Sequence, residues 1–462
     1  MSGRALIADR PRTIATTVLA AGGALAAAVN YPGSLSFDSF VQLFEGRSAN
    51  YGGWHPPVMS WLLGLFDAIV PGAGLFMLFD TALAFGALLS LLWLRPRTGW
   101  GAVAAAVAIV CLPQLFLYQA IIWKDVLFAD ACLAGFVCLA WAAARWQTRR
   151  LRFTMLAASV LFLALATLAR QNGAVIVPCA AAALGWIAYA CEKRWRSAAA
   201  YAAGGLALVA LVVLAGNAAL QTRVDEDSDG TAGQFKLLAL YDLVGMTKSD
   251  PALPLPVLNE SAPELAARIR DDGVRLFTPA RNDTLVGSQP LQDVFTDTDD
   301  DVVMAQWREA ALDHPGLYLG LRARLFGWVF TTPDLGLCYA IHVGAEGDPL
   351  RIKTLGMRPR FDARDRWLQG LGDFFVGTPA FSHVFYAALA LAALVLLLRR
   401  REPADLAMAG LLGAALLFTL TFFVISIACD YRYLYALDLA AIAATLYLAA
   451  TLTPGARATA SR

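Results

Sequence analysis

The sequence has 462 residues, 58% of them hydrophobic and only 16% charged, with a net charge of +1 and a mean hydropathy of +0.56. That is too apolar for a soluble enzyme of this length, and it specifies a polytopic membrane protein.

The chain opens with Arg4, Arg10 and Arg12 ahead of an apolar stretch at about 13–31 that runs through Ala26-Ala27-Ala28. This imitates a secretory signal, but the apolar region exceeds the roughly 7–15 residues of such signals, so an uncleaved first span is expected. Tyr31-Pro32-Gly33 punctuates its end, and two polar clusters follow, Ser36-Phe37-Asp38-Ser39 and Trp54-His55-Pro56-Pro57. Residues 57–70 are apolar but carry Asp67, and they fall short of the roughly 20 residues a crossing needs. They are expected to form a juxtamembrane or re-entrant helix. Further spans at about 73–94, 101–119, 126–144, 153–169, 174–191 and 198–219 bracket two more clusters, Trp123-Lys124-Asp125 and Arg170-Gln171-Asn172-Gly173.

A different composition then takes over. Between Gln221 and Phe381 there are 24 acidic and 16 basic residues, which leaves about +9 on the membrane part. The acidic balance argues against nucleic acid and fits a mostly helical extracytoplasmic domain. Its first stretch, Asp225-Glu226-Asp227-Ser228-Asp229-Gly230, lacks the spacing of a calcium loop and reads as a solvated linker. Helices are expected at Pro263–Asp271 and Asp301–Asp313, with the run Asp297, Asp299, Asp300, Asp301 as a helix start rather than a metal site. The stretch Leu317–Phe330, interrupted by Arg322 and Arg324, either lies on the membrane with its arginines at phosphate level or closes the domain's own core. Of the seven cysteines only Cys338 lies in this domain, so no disulfide framework is expected.

Spans at about 383–398, 405–428 and 433–452 complete the chain, the last two joined by a fifth cluster, Asp430-Tyr431-Arg432-Tyr433. The expected fold is therefore an all-α polytopic membrane protein of about ten transmembrane helices, divided at 1–219, 220–382 and 383–462. Lys and Arg favour cytoplasmic loops. Placing both termini in the cytoplasm puts inside Arg95, Arg97, Arg145, Arg149, Arg150, Arg152, Lys193, Arg194, Arg196, Arg399, Arg400, Arg401, Arg457 and Arg462. The short outer loops keep only Arg47, Lys124, Arg170 and Arg432. All five clusters then share the outer face, with Asp80, Asp130 and Asp438 in the outer halves of spans, where they are expected to pair with cluster cations.

Each cluster alone has an ordinary explanation. Asp38 and Asp125 could cap helices, Trp54, His55 and Lys124 could mark the interface, and Arg170 could hold a headgroup. Jointly they describe a polar site gathered where charge is costly. Carboxylates there can act as bases or share a cation, and a guanidinium suits bidentate phosphate binding.

At these residues the chain resembles the GT-C superfamily of integral-membrane glycosyltransferases, in the branch of the aminoarabinose transferase of lipid A and the protein O-mannosyltransferases. The likeness rests on Asp38, His55-Pro56-Pro57, Asp125 and Arg170 to Gly173, and covers roughly the first 220 residues. His55 stands where that branch has lysine, and Asp38 is single rather than one of a pair. The resemblance implies transfer of a hexose or pentose from a polyprenyl-phosphate donor to a glycan, lipid or protein acceptor outside a bacterial inner membrane. Asp38 and Asp125 would be catalytic and the candidate ligands of a divalent cation, Mg or Mn. Trp54, His55, Lys124, Arg170, Asn172, Arg432 and Tyr433 would bind substrate. The rival readings are a lipid-linked-sugar flippase or other transporter and an envelope polysaccharide polymerase or ligase.

Overall fold

A computed structural model describes residues 9–225 and 230–451; the acidic residues 226–229 and the terminal arginines 4, 457 and 462 lie outside the described residues. The described fold is all-α, with only isolated β-bridges between extended segments. Among the described residues nine helices are long and apolar enough to cross a membrane, or ten when a bent pair is counted as one span. They are α1 (Arg10–Asn30), α4 (Gly74–Leu91), α5 (Gly101–Cys111) with its continuation Pro113–Ala120, α6 (Lys124–Ala144), α7 (Arg149–Ala169), α8 (Ile176–Glu192), α9 (Trp195–Gln221), α14 (His383–Arg400), α15 (Pro403–Ile425) and α16 (Tyr435–Thr451). The bend follows from Pro113, which lacks the N–H that would continue the ladder and turns the second half by 65°.

The bundle is built around α6. Its Ala, Gly and Leu residues pack against α4, α7, α8, α15 and α16, and 89% of its apolar window is buried. α9 is the opposite case: only 6% of its window is buried, so it borders lipid along most of its length while touching α7 and α8. Tight hairpins join α8 to α9 and α14 to α15, closed by Lys193 and Arg401 in left-handed conformations.

Between α1 and α4 the chain forms two short helices, α2 (Phe37–Ser48) and α3 (Pro57–Asp67). The latter is 11 residues long, about half a crossing, as the sequence implied. α2 and α3 touch backbone to backbone: a Cβ on Gly46 would sit 2.2 Å from the Ser60 carbonyl, and one on Gly64 2.2 Å from that of Gly46. Asp67 is neutralised by Arg47, whose Nε lies 2.8 Å from its Oδ2.

Residues 230–382 contain helices α10 (Gly230–Ser249), α11 (Asp300–Asp313), α12 (Pro315–Thr331) and α13 (Ala363–Phe375), with shorter turns between them. The expected helix at Pro263–Asp271 is a chain of short helical pieces, Pro263–Arg268, Ile269–Gly273 and Val274–Leu276. Asp299 caps α11 by accepting from the Asp301 N–H at 2.9 Å, so the aspartate run is a helix start. α12 follows the core-closing alternative rather than the membrane-surface one. Arg322 is fully buried, paired with Asp242 and donating to the Ser426 carbonyl at 2.8 Å, and only Arg324 is exposed. Asp242 also accepts from Trp307 Nε1 at 2.9 Å.

One expectation fails outright. Cys338 and Cys429 form a disulfide across 91 residues. In sequence Cys429 stands just past an apolar span, but the end of that span emerges beside residue 338, and spacing along a chain carries no information about such convergence. The bond ties residues 230–382 to the loop before α16, where the Tyr431 N–H also donates to the Cys338 carbonyl at 2.7 Å.

Candidate active site

The site forms where the chain crosses itself at one end of the bundle. The extended strand 34–36 pairs with 120–122: the Ser34 N–H reaches the Ala120 carbonyl at 2.8 Å and the Ile122 N–H reaches the Ser34 carbonyl at 3.0 Å. Ser36 caps α2, with Ser39 reciprocating. The Ser39 hydroxyl also donates to the Ile122 carbonyl at 2.7 Å, and Trp123 Nε1 to the Ser36 hydroxyl at 2.9 Å. These bonds bring the first turn of α2 against the first turn of α6, hence Asp38 near Asp125. Because Ser36 is the cap, Asp38 is released from that role. Asp125 is not a cap either, since the residue before α6 is Trp123 and no side chain caps it.

Arg432 joins the two carboxylates. Its terminal nitrogen donates to Asp38 Oδ2 at 2.8 Å and its Nε lies 3.8 Å from Asp125 Oδ2. It also reaches Asp430, with Nε 3.2 Å from Oδ2. On the far side of Asp125, Arg170 forms a direct ion pair with it. The result is an alternating row, Asp38–Arg432–Asp125–Arg170, in which Asp125 is only 2% exposed. Arg170 ends α7, and Gly173 permits the following turn, because a Cβ there would meet the Ala166 carbonyl and Phe128 at 3.1 Å. Arg170 Nε donates to Asn172 Oδ1 at 3.2 Å, and Asn172 Nδ2 to the Thr421 hydroxyl at 2.8 Å. Phe418, Phe422 and Tyr433 surround the guanidinium at 5.4–5.6 Å, within cation–π range. Arg432 in turn lies 4.9 Å from the Trp123 ring.

His55 and Lys124 complete the cluster. Lys124 Nζ lies 3.0 Å from His55 Nδ1, and His55 Nε2 lies 3.9 Å from Asp38 Oδ1. Burial, reinforced by the Lys124 charge, pushes the imidazole down to about 3. His55 is therefore neutral at physiological pH, and it leaves the set of site cations in which its titratable ring had placed it. Burial alone would raise the Asp38 carboxyl, but the Arg432 charge and hydrogen bond, with Lys124, outweigh it and hold it well below the usual carboxylate range.

Three further expectations change. Trp54 turns its ring outward, 46% exposed, and contributes only its carbonyl, which accepts from Gln171 and Gln234. The Asp38–Asp125 pair does not fit a divalent cation: both carboxylates are claimed by guanidinium groups, and no group of three His, Cys, Asp or Glu side chains suited to a metal occurs among the described residues. Asp80, Asp130 and Asp438 do not pair with the cluster cations. Asp438 accepts from Tyr431 at 2.7 Å and from His383 at 2.9 Å, and Asp130 from Gln119 at 3.0 Å.

Two contributors lay outside the sequence reading. His342 packs at a tilt against Trp123, ring centroids 5.9 Å apart, and Arg281 approaches Asp430 at 3.7 Å. Both come from the 230–382 segment, and the only available signal was that His342 is one of four histidines in the chain.

A groove of about 690 Å3 opens beside the row, lined by His55, Pro57, Leu168, Arg170, Val213 and Asn217 among others. Farther along the same two helices, α7 and α9, lies an apolar cleft of about 460 Å3, lined by residues such as Leu156, Val160, Leu163, Gly205 and Leu208.

No protein-family model matches the chain. No curated protein matches it in sequence. Among solved structures it is similar to the oligosaccharyltransferase of the archaeon Archaeoglobus fulgidus. The form in complex with an inhibitory peptide and a dolichol-phosphate gives a TM-score of 0.42 at 14% identity, covering 94% of this chain and 50% of that one. The form tethered to an acceptor peptide containing the NVT sequon gives 0.41 at 15%, covering 94% and 49%. The complex with Zn and sulfate gives 0.40 at 14%, covering 93% and 48%. The chain thus spans about half the length of those structures.

Proposed function

We propose that this chain is a membrane glycosyltransferase of the GT-C type, moving a sugar from a polyprenyl-phosphate donor to an acceptor hydroxyl or amide on the outer face of a bacterial inner membrane. The observation that carries the reading is the row Asp38–Arg432–Asp125–Arg170, whose Arg170 end lines, with His55, a groove whose walls, α7 and α9, continue into an apolar cleft. That arrangement suits a ligand with an anionic head and a long apolar tail, the head at Arg170 and the tail along Leu163 and Leu208 toward lipid. Sequence resemblance at Asp38, Pro56-Pro57, Asp125 and Arg170 supports the same class.

In the proposed reaction the acceptor heteroatom attacks the anomeric carbon and the bond to phosphate oxygen breaks, its electron pair leaving on the lipid phosphate. The acceptor's proton passes to Asp38. Charge growing on the phosphate is met by preorganised cations, Arg170 first, then Lys124 and Arg432. Arg432 couples the two ends. At rest it makes Asp38 a weak base; as it turns toward the leaving phosphate, Asp38 loses its partner and gains basicity when the proton must move. With its proton on Nε2, the neutral His55 offers a donor that orients the Asp38 carboxylate or the acceptor. Asp125 is a positioning residue, holding both guanidinium groups at once.

The outward orientation is supported by the loop arginines and by a disulfide, which belongs to oxidising compartments. The test uses purified protein in nanodiscs with a panel of polyprenyl-phosphate sugars and follows release of polyprenyl phosphate. Turnover without an ion gradient is expected. Movement of intact lipid-linked sugar between leaflets with no bond cleavage would instead make the chain a transporter.

A further inference from the structure

Below the proposed site, five residues on from Asp125 and so about 7.5 Å deeper along α6, Asp130 faces Asp80 of α4. Asp130 is 0% and Asp80 1% exposed, the helices that carry them pack against each other, and each carboxylate acts electrostatically on the other. The donors nearby are already committed. Gln119 Nε2 gives its hydrogens to Asp130 Oδ1 at 3.0 Å and to the Tyr435 hydroxyl at 2.8 Å, and Tyr435 passes its own to the Gln114 carbonyl at 2.8 Å. Four buried oxygens are left with no donor: both of Asp80, Oδ2 of Asp130 and Oε1 of Gln119.

Among the described residues no cation offsets them. On α6 itself Lys124 and Asp125 belong to the proposed transfer site, and Arg10 of α1 is exposed at the far end of that helix. On α1, Asp9 and Arg12 lie at the opposite end of α4, beside Thr98 and Arg95; at α3, Asp67 is held by Arg47; on α16, Asp438 is held by His383 and Tyr431; and Tyr435 is a donor already spent. Two carboxylates that act on each other, away from water, cannot both keep their charge. Each must be protonated or matched, because an unpaired buried ion costs several kcal/mol.

We propose that Asp80, Asp130 and the Gln119 carbonyl form a binding site for a positively charged ion inside the helix bundle, taking a proton or a sodium ion. An all-oxygen donor set suits a hard ion, and a proton placed between the two carboxylates satisfies the same acceptors. The site is separate from the proposed sugar-transfer centre and stands or falls without it.

The experiment is thermal unfolding of the full chain in detergent, in choline chloride and in sodium chloride, between pH 5 and 9. A charge bound only by the folded pair makes stability in choline chloride fall as pH rises, since the folded state then holds the extra proton. If sodium restores the midpoint at pH 9, sodium and proton compete for the site; a fall that sodium does not restore assigns the site to the proton alone. Asp80→Asn with Asp130→Asn removes both responses, and either single variant does so in part should the double variant fail to fold. A wild-type midpoint that follows the variants at every pH, with no response to sodium, overturns the proposal.

Discussion

Asp38 illustrates how a side chain acquires a role from its neighbours. Ser36 takes the capping position, which frees the Asp38 carboxylate to meet Arg432 at 2.8 Å. Replacement of Asp38 by Asn keeps the shape and removes the proton acceptor, so turnover is expected to fall by roughly 10²–10⁴ while abundance and helicity stay unchanged. Wild-type rates from the variant would remove Asp38 from the reaction. His55 yields a pH prediction. Its imidazole drops from the ordinary 6.5 to about 3 on folding, so between those values the unfolded chain binds the extra proton. Stability therefore rises with pH through that window and is lost as pH falls toward about 3. His55→Gln should flatten that part of the stability profile, and the rate profile should show no inflection near the usual histidine value. An inflection near neutrality that vanishes in His55→Gln would mean that the ring does ionise.

The elements show which parts of the architecture periodicity can reveal. Spans with a continuous apolar run, such as α6 and α15, were legible because length and hydropathy are local properties, and α3 was recognised as too short to cross for the same reason. The site was legible as a set of clusters but not as a set of partners. Asp38 and Arg432 are 394 positions apart, and nothing in either cluster says that they meet. The same blindness hid the Cys338–Cys429 bond, and it left open whether Arg322 serves a core or a headgroup until Asp242 is seen to pair with it. That disulfide has consequences at the level of the element it holds. Cys429 precedes Asp430 and Arg432, and its N–H donates to the Ala280 carbonyl at 2.8 Å, so the turn that delivers Arg432 is pinned from two sides. A bond closing so long a stretch typically contributes about 2–4 kcal/mol. Cys338→Ser is expected to lower the unfolding midpoint and to reduce kcat more than KM changes, because Arg432 loses its fixed position. Equal rates with a lowered midpoint would confine the bond to stability.

For the whole molecule, charge and redox chemistry make independent statements about orientation. The helix ends and loops opposite the proposed site hold Arg145, Arg149, Arg150, Lys193, Arg194 and Arg399 to Arg401, and such residues stay preferentially in the cytoplasm. The disulfide forms at the other end, beside the row of alternating charges, and persists only where thiols are oxidised. Both support the proposed placement of residues 230–382 on the outer side. The two arguments have different physical origins, membrane insertion in one case and thiol chemistry in the other, so their agreement is not circular. It is checkable in intact cells with a membrane-impermeant maleimide. Leu350 is 75% exposed in the inserted segment, and Arg150 is exposed in the first turn of α7. A cysteine at 350 should label before lysis and one at 150 only afterwards, each measured against wild type. The reverse pattern would put the carboxylate row in the cytoplasm, where a lipid-linked donor presented on the outer leaflet could not reach Arg170.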